Sequence, residues 1–280
     1  MARRRYTIDE HRIALFVQEG RGEGVGADYK PWLTVQDVPS TGRSTRLRGI
    51  HTERIHHLLS DIERNLFYCL DWEDSVADIR EQFPLDRSAT TQIAEACNIL
   101  HPRFPGVVTP MVMTTDFVVD AWVDGKLVQT AYSVKSGKDL DHPRTLEKLE
   151  IERLYWESKG VEWSIVTPAV LPTHLIRNIE WVHNFFRLDG LVEPHPGFYQ
   201  DAARRMGAQV SSSAGLPLQQ FCQDMEVRLG LREEEGLTLF RHLLATKSVL
   251  CDMETVVLSD PLINMASFRT STRQRQESRA

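Results

Sequence analysis

Residues 115–135 constrain the fold more than any other part of the chain. Both halves of this stretch are rich in Val, Phe, Tyr and Trp, and Asp124-Gly125 between them accepts the positive φ angles of a two-residue turn. The pattern predicts an antiparallel β-hairpin. Asp116 opens its first strand and Lys135 closes its second, so we expect a carboxylate and an ammonium group side by side where the two strands end.

Helical and extended patterns alternate around this hairpin. Apolar residues at steps of three or four predict helices at residues 9–18, 52–70, 89–100 and 144–159, the third with Ser88 as its N-cap. Strands are expected at residues 32–35, 76–84 and 161–167. This order predicts an α/β fold in which helices pack on the faces of a mixed sheet.

The pattern changes after Pro172, and we therefore expect two domains, residues 1–172 and 173–280. A helical stretch at 173–189 is followed by a link that contains Pro194, Pro196 and Gly197. Three further helices are expected at 198–210, 217–228 and 233–245, and then two short β-like runs at 247–251 and 254–258. Helices followed by a small hairpin are typical of a winged-helix-like module.

Three residues suggest metal-dependent phosphodiester hydrolysis. Asp116 can hold a divalent metal ion, and Lys135 can orient a water molecule or neutralise charge that develops in the transition state. Glu63, in the helix before the sheet, can add a second carboxylate, although taken alone it reads as a surface residue. Ser133 lies two positions before Lys135 and shares its face of the strand.

Composition and charge restrict the function further. The net charge of -6 disfavours a protein that coats nucleic acid through bulk charge, but a basic groove can be local. No apolar run approaches the roughly 18 residues that span a bilayer, and no signal peptide is recognisable. The four cysteines have no zinc-ligand spacing and are expected to be reduced, mostly buried thiols of a cytoplasmic protein. No Gly-x-Ser-x-Gly motif indicates a serine hydrolase.

At residues 57–167 the sequence resembles TnsA, the endonuclease family of heteromeric cut-and-paste transposases. The resemblance is carried by Ser-Asp-Ile-Glu-Arg at 60–64, Asp-Ile-Arg-Glu-Gln-Phe-Pro-Leu at 78–85, Thr-Thr-Asp-Phe at 114–117, Tyr-Ser-Val-Lys at 132–135 and Arg-Thr-Leu-Glu-Lys-Leu-Glu at 144–150. It continues more loosely through residues 178–181 into the C-terminal part. It implies a restriction-endonuclease-like, PD-(D/E)xK fold for the first domain.

The resemblance also implies roles for individual residues. Glu63 and Asp116 match the metal-binding carboxylates, which take Mg²⁺ with Mn²⁺ as a substitute, and Lys135 matches the catalytic lysine. Ser133 departs from the pattern, because the wider superfamily has Asp or Glu there and better-known TnsA has Gln. A serine hydroxyl is a shorter, neutral and weaker metal ligand. Ser133 is therefore expected to act through water and not as a direct ligand, with the Val134 carbonyl taking part instead.

The function implied is cleavage of DNA at transposon ends, on the 5′ strand that the partner leaves unjoined. The implied partners are a TnsB-like transposase and, through the C-terminal domain, a TnsC-like AAA+ ATPase of a bacterial cell. Lys138, His142 and Arg80 are candidates for contact with DNA, although Arg80 and Glu81 also fit an ordinary pair at a strand edge. Two alternatives stay open: a stand-alone restriction or repair endonuclease of the same fold, and a non-catalytic transposase adaptor.

Overall fold

A computed structural model of the chain describes residues 8–38, 43–104 and 106–271. Contacts divide it into two units, with the boundary between Leu171 and Pro172. The functional assignment of the two predicted domains stays a prediction.

A four-stranded mixed sheet forms the centre of the first unit, which confirms the predicted α/β fold. Strands β3, β4, β5 and β6 lie in that order; the first three are antiparallel and β6 is parallel to β5. Strands β1 and β2 form a separate two-stranded sheet. The elements are α1 (Glu10–Gln18), β1 (Thr45–Arg48), β2 (Ile55–Leu58), α2 (Asp61–Trp72), β3 (Val76–Pro84), α3 (Arg87–Ala96), β4 (Thr114–Val123), β5 (Lys126–Val134), α4 (Pro143–Ser158) and β6 (Glu162–Val166).

The predicted hairpin is confirmed as β4 and β5. Trp122 pairs with Leu127 across the turn. Asp124 and Gly125 have φ angles of 49° and 75°, the two positive angles that such a turn needs. The turn therefore fixes the register that brings Asp116 and Lys135 to one end of the hairpin.

Helix α4 covers the sheet and connects β5 to β6, as a crossover between parallel strands requires. Val118 on β4 and Ala131 on β5 are fully buried in a cluster with Ile151, Tyr155 and Trp156 of this helix. Burial of these apolar side chains fixes the face that α4 turns toward the strands.

The helix predicted at residues 52–70 is wrong in its first part. Residues 55–58 form strand β2, and α2 begins only at Asp61, with the Ser60 side chain accepting a hydrogen bond from Glu63 N–H at its N-cap. A link of only two residues joins strand and helix. Leu58, Leu59 and Ile62 therefore keep a helix-like spacing across the boundary, which disguises it.

Two further predictions in this unit need correction. Residues 32–35 lie in bends and a turn, where the Asp37 carboxylate accepts from Thr34 N–H, and not in a strand. The third helix begins at Arg87 with Asp86, not Ser88, as its N-cap, and it ends at Ala96. Asn98, at a φ of 53°, stops it before residue 100.

The second unit is mainly helical, with α5 (Thr173–His183), α6 (Phe198–Gln209), α7 (Leu218–Leu229) and α8 (Glu235–Ala245). The hairpin predicted from residues 247–251 and 254–258 is wrong. Strand β7 (Val249–Leu250) pairs instead with β8 (Arg269–Thr270), and residues 253–255 form a turn in which the Asp252 side chain accepts two hydrogen bonds. A winged-helix architecture of this unit stays a prediction.

None of the helices in the described ranges is both long enough and apolar enough to cross a membrane. The four cysteines are free thiols, as predicted. Their expected burial is wrong in part, because Cys222 is buried, Cys69 and Cys251 are half-buried, and Cys97 is exposed.

Replacement of Gly125 by alanine tests the turn. The added methyl group would meet no atom within 4 Å, so its cost is the positive φ alone. We expect Gly125→Ala to lower the free energy of unfolding by about 1 kcal/mol in urea titrations. Gly137→Ala is the matched control, since its position is equally open but has no positive φ. Equal losses of unfolding free energy in the two variants would contradict the assignment of a positive-φ turn at Gly125.

Candidate active site

Glu63 lies in the first turn of α2, because this helix begins at Asp61 and not at residue 52 as predicted. Its carboxylate accepts hydrogen bonds from Leu59 N–H at 2.9 Å and from the Ser60 hydroxyl at 2.8 Å. Ser60 in turn accepts from Glu63 N–H at 3.1 Å, which makes a variant of the capping box. Glu63 is only 7% exposed, so this cap fixes a carboxylate that is almost fully removed from water.

Asp116 occupies the point where β4 and β5 separate. The regular pairing of the two strands ends at Phe117 and Tyr132, and beyond it Val134 N–H donates to Asp116 Oδ2 at 2.6 Å. The carboxylate thus takes the place of a backbone acceptor. Gln82 Nε2 donates to its other oxygen at 3.4 Å.

Lys135 reaches the same carboxylate. Its Nζ lies 2.9 Å from Asp116 Oδ2 and 2.8 Å from the Val134 carbonyl oxygen. Its backbone N–H donates to the Val166 carbonyl of β6 at 3.0 Å, which anchors the end of β5 in the sheet. Two oxygens, one from Asp116 and one from the Val134 carbonyl, therefore bind the same ammonium group.

Glu63, Asp116 and Lys135 interact electrostatically, which brings together the three residues that the sequence singled out. Burial, followed by the charge of Asp116, raises the pKa of Glu63 to about 7. Burial acts to lower the pKa of Lys135, but the charges of Asp116, Glu152 and Glu63 outweigh it and raise that pKa. Their roles in catalysis stay predictions.

Glu152 of α4 belongs to this cluster and was missed by the sequence analysis. It is 4% exposed, and burial together with the charge of Asp116 raises its pKa to about 7. Its carboxylate accepts from the Thr115 hydroxyl at 2.7 Å, the Ser133 hydroxyl at 3.0 Å and Trp163 Nε1 at 3.2 Å. Ser133 therefore donates to a neighbouring carboxylate, and its role as a metal ligand stays a prediction.

One signal in the sequence could have found Glu152. It lies three residues after Leu149 and four before Trp156, and both of these are buried. A glutamate at that spacing lies on the apolar face of its helix, where an unpaired carboxylate is rare. Glu150 and Arg153 are charged and lie close to Glu152 in the sequence, so Glu152 resembles one of a run of solvated residues.

The candidate DNA contacts have different surroundings. Arg80 is buried and pairs with Asp120 at 2.6 Å and Asp78 at 3.4 Å, so it lies with these carboxylates and not with Asp116. Lys138 and His142 are exposed in and after the turn that follows Lys135. Lys148 on α4 is a further cation near Lys135: burial, Arg144 and Lys135 lower its pKa.

The oxygen donors at this site fit a small divalent cation. The described residues include no set of three or more His, Cys, Asp or Glu side chains arranged to hold a metal ion. Mg²⁺, however, commonly binds through one or two carboxylates while keeping several waters. Asp116, Glu63 and the Val134 carbonyl are hard oxygen donors of this kind, and Lys135 shows that two of these oxygens accept a cation.

A mixed sheet that brings carboxylates and a lysine together at the end of a hairpin belongs with nuclease-type α/β domains. A family model described as "TnsA-like endonuclease N terminal" matches residues 73–168, and one described as "TnsA endonuclease C terminal" matches residues 171–253. The first includes Asp116, Lys135 and Glu152, whereas Glu63 precedes it.

The chain is also 50% identical over 184 residues to the transposon Tn7 transposition protein TnsA of Escherichia coli. That match covers 66% of this chain and 66% of the relative, slightly less than two thirds of the relative's length. The chain belongs to the TnsA endonuclease family.

The raised pKa of Glu152 makes a prediction about stability. Because the folded-state pKa of about 7 lies above the ordinary 4.5, the carboxyl group favours folding below pH 4.5, and this contribution is lost as pH rises through 7. Glu152→Gln removes that loss, and its amide can satisfy all three partners. In urea titrations without metal, we expect the variant to gain roughly 2–3 kcal/mol over wild type at pH 8.

The same comparison at pH 4 is the control, since the protonated glutamate and the glutamine then differ little. A stability difference that is the same at pH 4 and pH 8 would contradict a raised pKa of Glu152.

Proposed function

We propose that this chain is the Mg²⁺-dependent endonuclease subunit of a Tn7-like transposase and that it cuts the 5′, non-transferred strand at transposon ends. The observation that carries the proposal is Asp116, whose carboxylate meets Lys135 at 2.9 Å at the end of the hairpin. Membership of the TnsA family supports the substrate and the reaction. A restriction-endonuclease-like fold of the first unit is part of the proposal.

Each residue of the site has a chemical task in this reaction. Asp116, Glu63 and the Val134 carbonyl would hold the metal ion, and the chemistry that Mg²⁺ supplies when bound is polarisation of the phosphate and of a water molecule. Lys135 neutralises negative charge that develops on the scissile phosphate. Glu152 adds a carboxylate beside Lys135, held by three donors that fix its orientation.

The partners follow from the same proposal. The joining cut on the other strand belongs to a TnsB-like transposase, and the helical second unit, proposed to be winged-helix-like, docks a TnsC-like AAA+ ATPase. Lys138, His142 and Lys148 are exposed, and Lys148 interacts with Lys135, which supports a role for these side chains in contacting phosphates of the transposon end. The proposed cleavage of transposon-end DNA takes place in the bacterial cytoplasm.

Asparagine at position 116 tests the catalytic assignment. It keeps the shape of the side chain but removes the charge that holds a cation, so we expect Asp116→Asn to slow 5′-strand cleavage at least about 100-fold. The measurement is nicking of a transposon-end plasmid by the assembled transposase in Mg²⁺, with circular dichroism to verify folding. Asp124→Asn is the matched control, because asparagine suits the positive φ of that turn residue.

Full cleavage by Asp116→Asn would overturn the assignment. Cleavage by purified wild-type chain without any transposase would favour the stand-alone endonuclease.

Metal binding separates the enzyme from the non-catalytic adaptor, an alternative suggested by Ser133, a neutral residue at a position where the wider superfamily has Asp or Glu. We expect calorimetric titration with Mn²⁺ to show binding to wild type and at least about 10-fold weaker binding to Asp116→Asn. The Asp124→Asn control should bind as wild type does. If the wild-type chain takes up no Mn²⁺, with or without DNA, the adaptor is the better description.

A further inference from the structure

Glu81 is a buried carboxylate of β3 that holds the segment before Glu63. It is fully buried and accepts hydrogen bonds from both terminal nitrogens of Arg54, from His57 N–H at 3.0 Å and from His56 Nδ1 at 2.8 Å. Burial acts to raise the pKa of Glu81, but His56 and Arg54 outweigh it and hold that pKa below its usual range. Glu81 is therefore a charged anchor at neutral pH.

This anchor attaches β2 to the central sheet. Strand β2 pairs with β1 in a sheet of its own, so its polar contacts with β3 run through Glu81 and through Arg54, which also donates to the Ile79 carbonyl at 2.7 Å. Leu59 follows two residues after His57, and its N–H donates to the Glu63 carboxylate. Glu81 thus fixes the stretch of backbone that receives Glu63.

The next residue of β3, Gln82, contacts the other carboxylate of the site. Its side-chain amide donates to Asp116 at 3.4 Å and accepts from the Thr114 hydroxyl at 3.2 Å. Gln82 is 3% exposed and has a φ of 48°, a conformation that a glutamine rarely adopts. Backbone strain of this kind persists where the surroundings enforce it, and it is frequent at functional sites.

We propose that Glu81 and Gln82 are positioning residues that hold Glu63 and Asp116 in place relative to each other. The proposal rests on the endonuclease function above. Adjacent residues of one strand contact the surroundings of the two carboxylates, so the separation of Glu63 and Asp116 is set by a single rigid element. Neither Glu81 nor Gln82 needs to touch DNA or the metal ion for this role.

Two amide protons report the positions of the carboxylates directly. Leu59 N–H bonds to Glu63, and Val134 N–H bonds to Asp116. In NMR spectra of the full chain without metal, we expect Glu81→Gln to shift mainly the Leu59 amide resonance and Gln82→Met mainly that of Val134. Calorimetry with Mn²⁺ should show affinity weakened about 10-fold in both variants.

Thr90→Val is the matched control. It removes a buried hydrogen bond to His101 in the same unit without touching the site, so it should lower the melting temperature and leave both amide resonances and the Mn²⁺ affinity unchanged. A purely structural role of Glu81 and Gln82 predicts that their variants behave as this control does.

The outcomes separate the two proposals. Unshifted Leu59 and Val134 amides, or Mn²⁺ affinity at the wild-type level, overturn the positioning role while leaving the endonuclease intact. Wild type that binds no Mn²⁺ and cuts no transposon end overturns the endonuclease itself. If Glu81→Gln fails to fold, Gln82→Met decides, because it keeps the size of the side chain and removes only its hydrogen bonds.

Discussion

The carboxylate of Asp116 is the interaction on which the site depends. It accepts a hydrogen bond from Val134 N–H where the regular pairing of β4 and β5 stops, and the Lys135 ammonium group contacts the same oxygen. A side chain thus completes the backbone hydrogen bonding of a strand and also binds the ammonium group of Lys135. The position of Asp116 is therefore fixed by the sheet, which suits the catalytic role proposed for it, because catalytic groups need rigid support.

The cluster around Asp116 carries an electrostatic strain that a cation would relieve. Glu63 and Glu152 are both buried, and the pKa of each is raised to about 7 by burial and then by the charge of Asp116. Like charges that are held together in a region of low dielectric destabilise the fold unless a positive charge joins them. Lys135 supplies part of that charge, and a divalent ion would supply more.

The predictable part of this structure is the part whose signal is local. The hairpin could be predicted because Asp124-Gly125 and the flanking strand formers lie within one short stretch, and Asp116 and Lys135 followed from it. Strand β2 could not be predicted, because its apolar residues continue the helix-like spacing of the apolar residues in α2. For Glu152 only the burial could have been predicted, from its spacing to Leu149 and Trp156. Its contacts could not, since its partners Thr115, Ser133 and Trp163 come from three separate strands.

The serine at position 133 is best understood together with Glu152. The Ser133 hydroxyl donates to the Glu152 carboxylate at 3.0 Å, and both side chains are buried. An aspartate or glutamate at 133 would place a second buried carboxylate against Glu152, which raises the cost of ionising either one. A hydroxyl avoids this conflict and satisfies one oxygen of Glu152. A serine at position 133, where the wider superfamily has Asp or Glu, is thus compatible with the carboxylate of Glu152, which reaches the same place from helix α4.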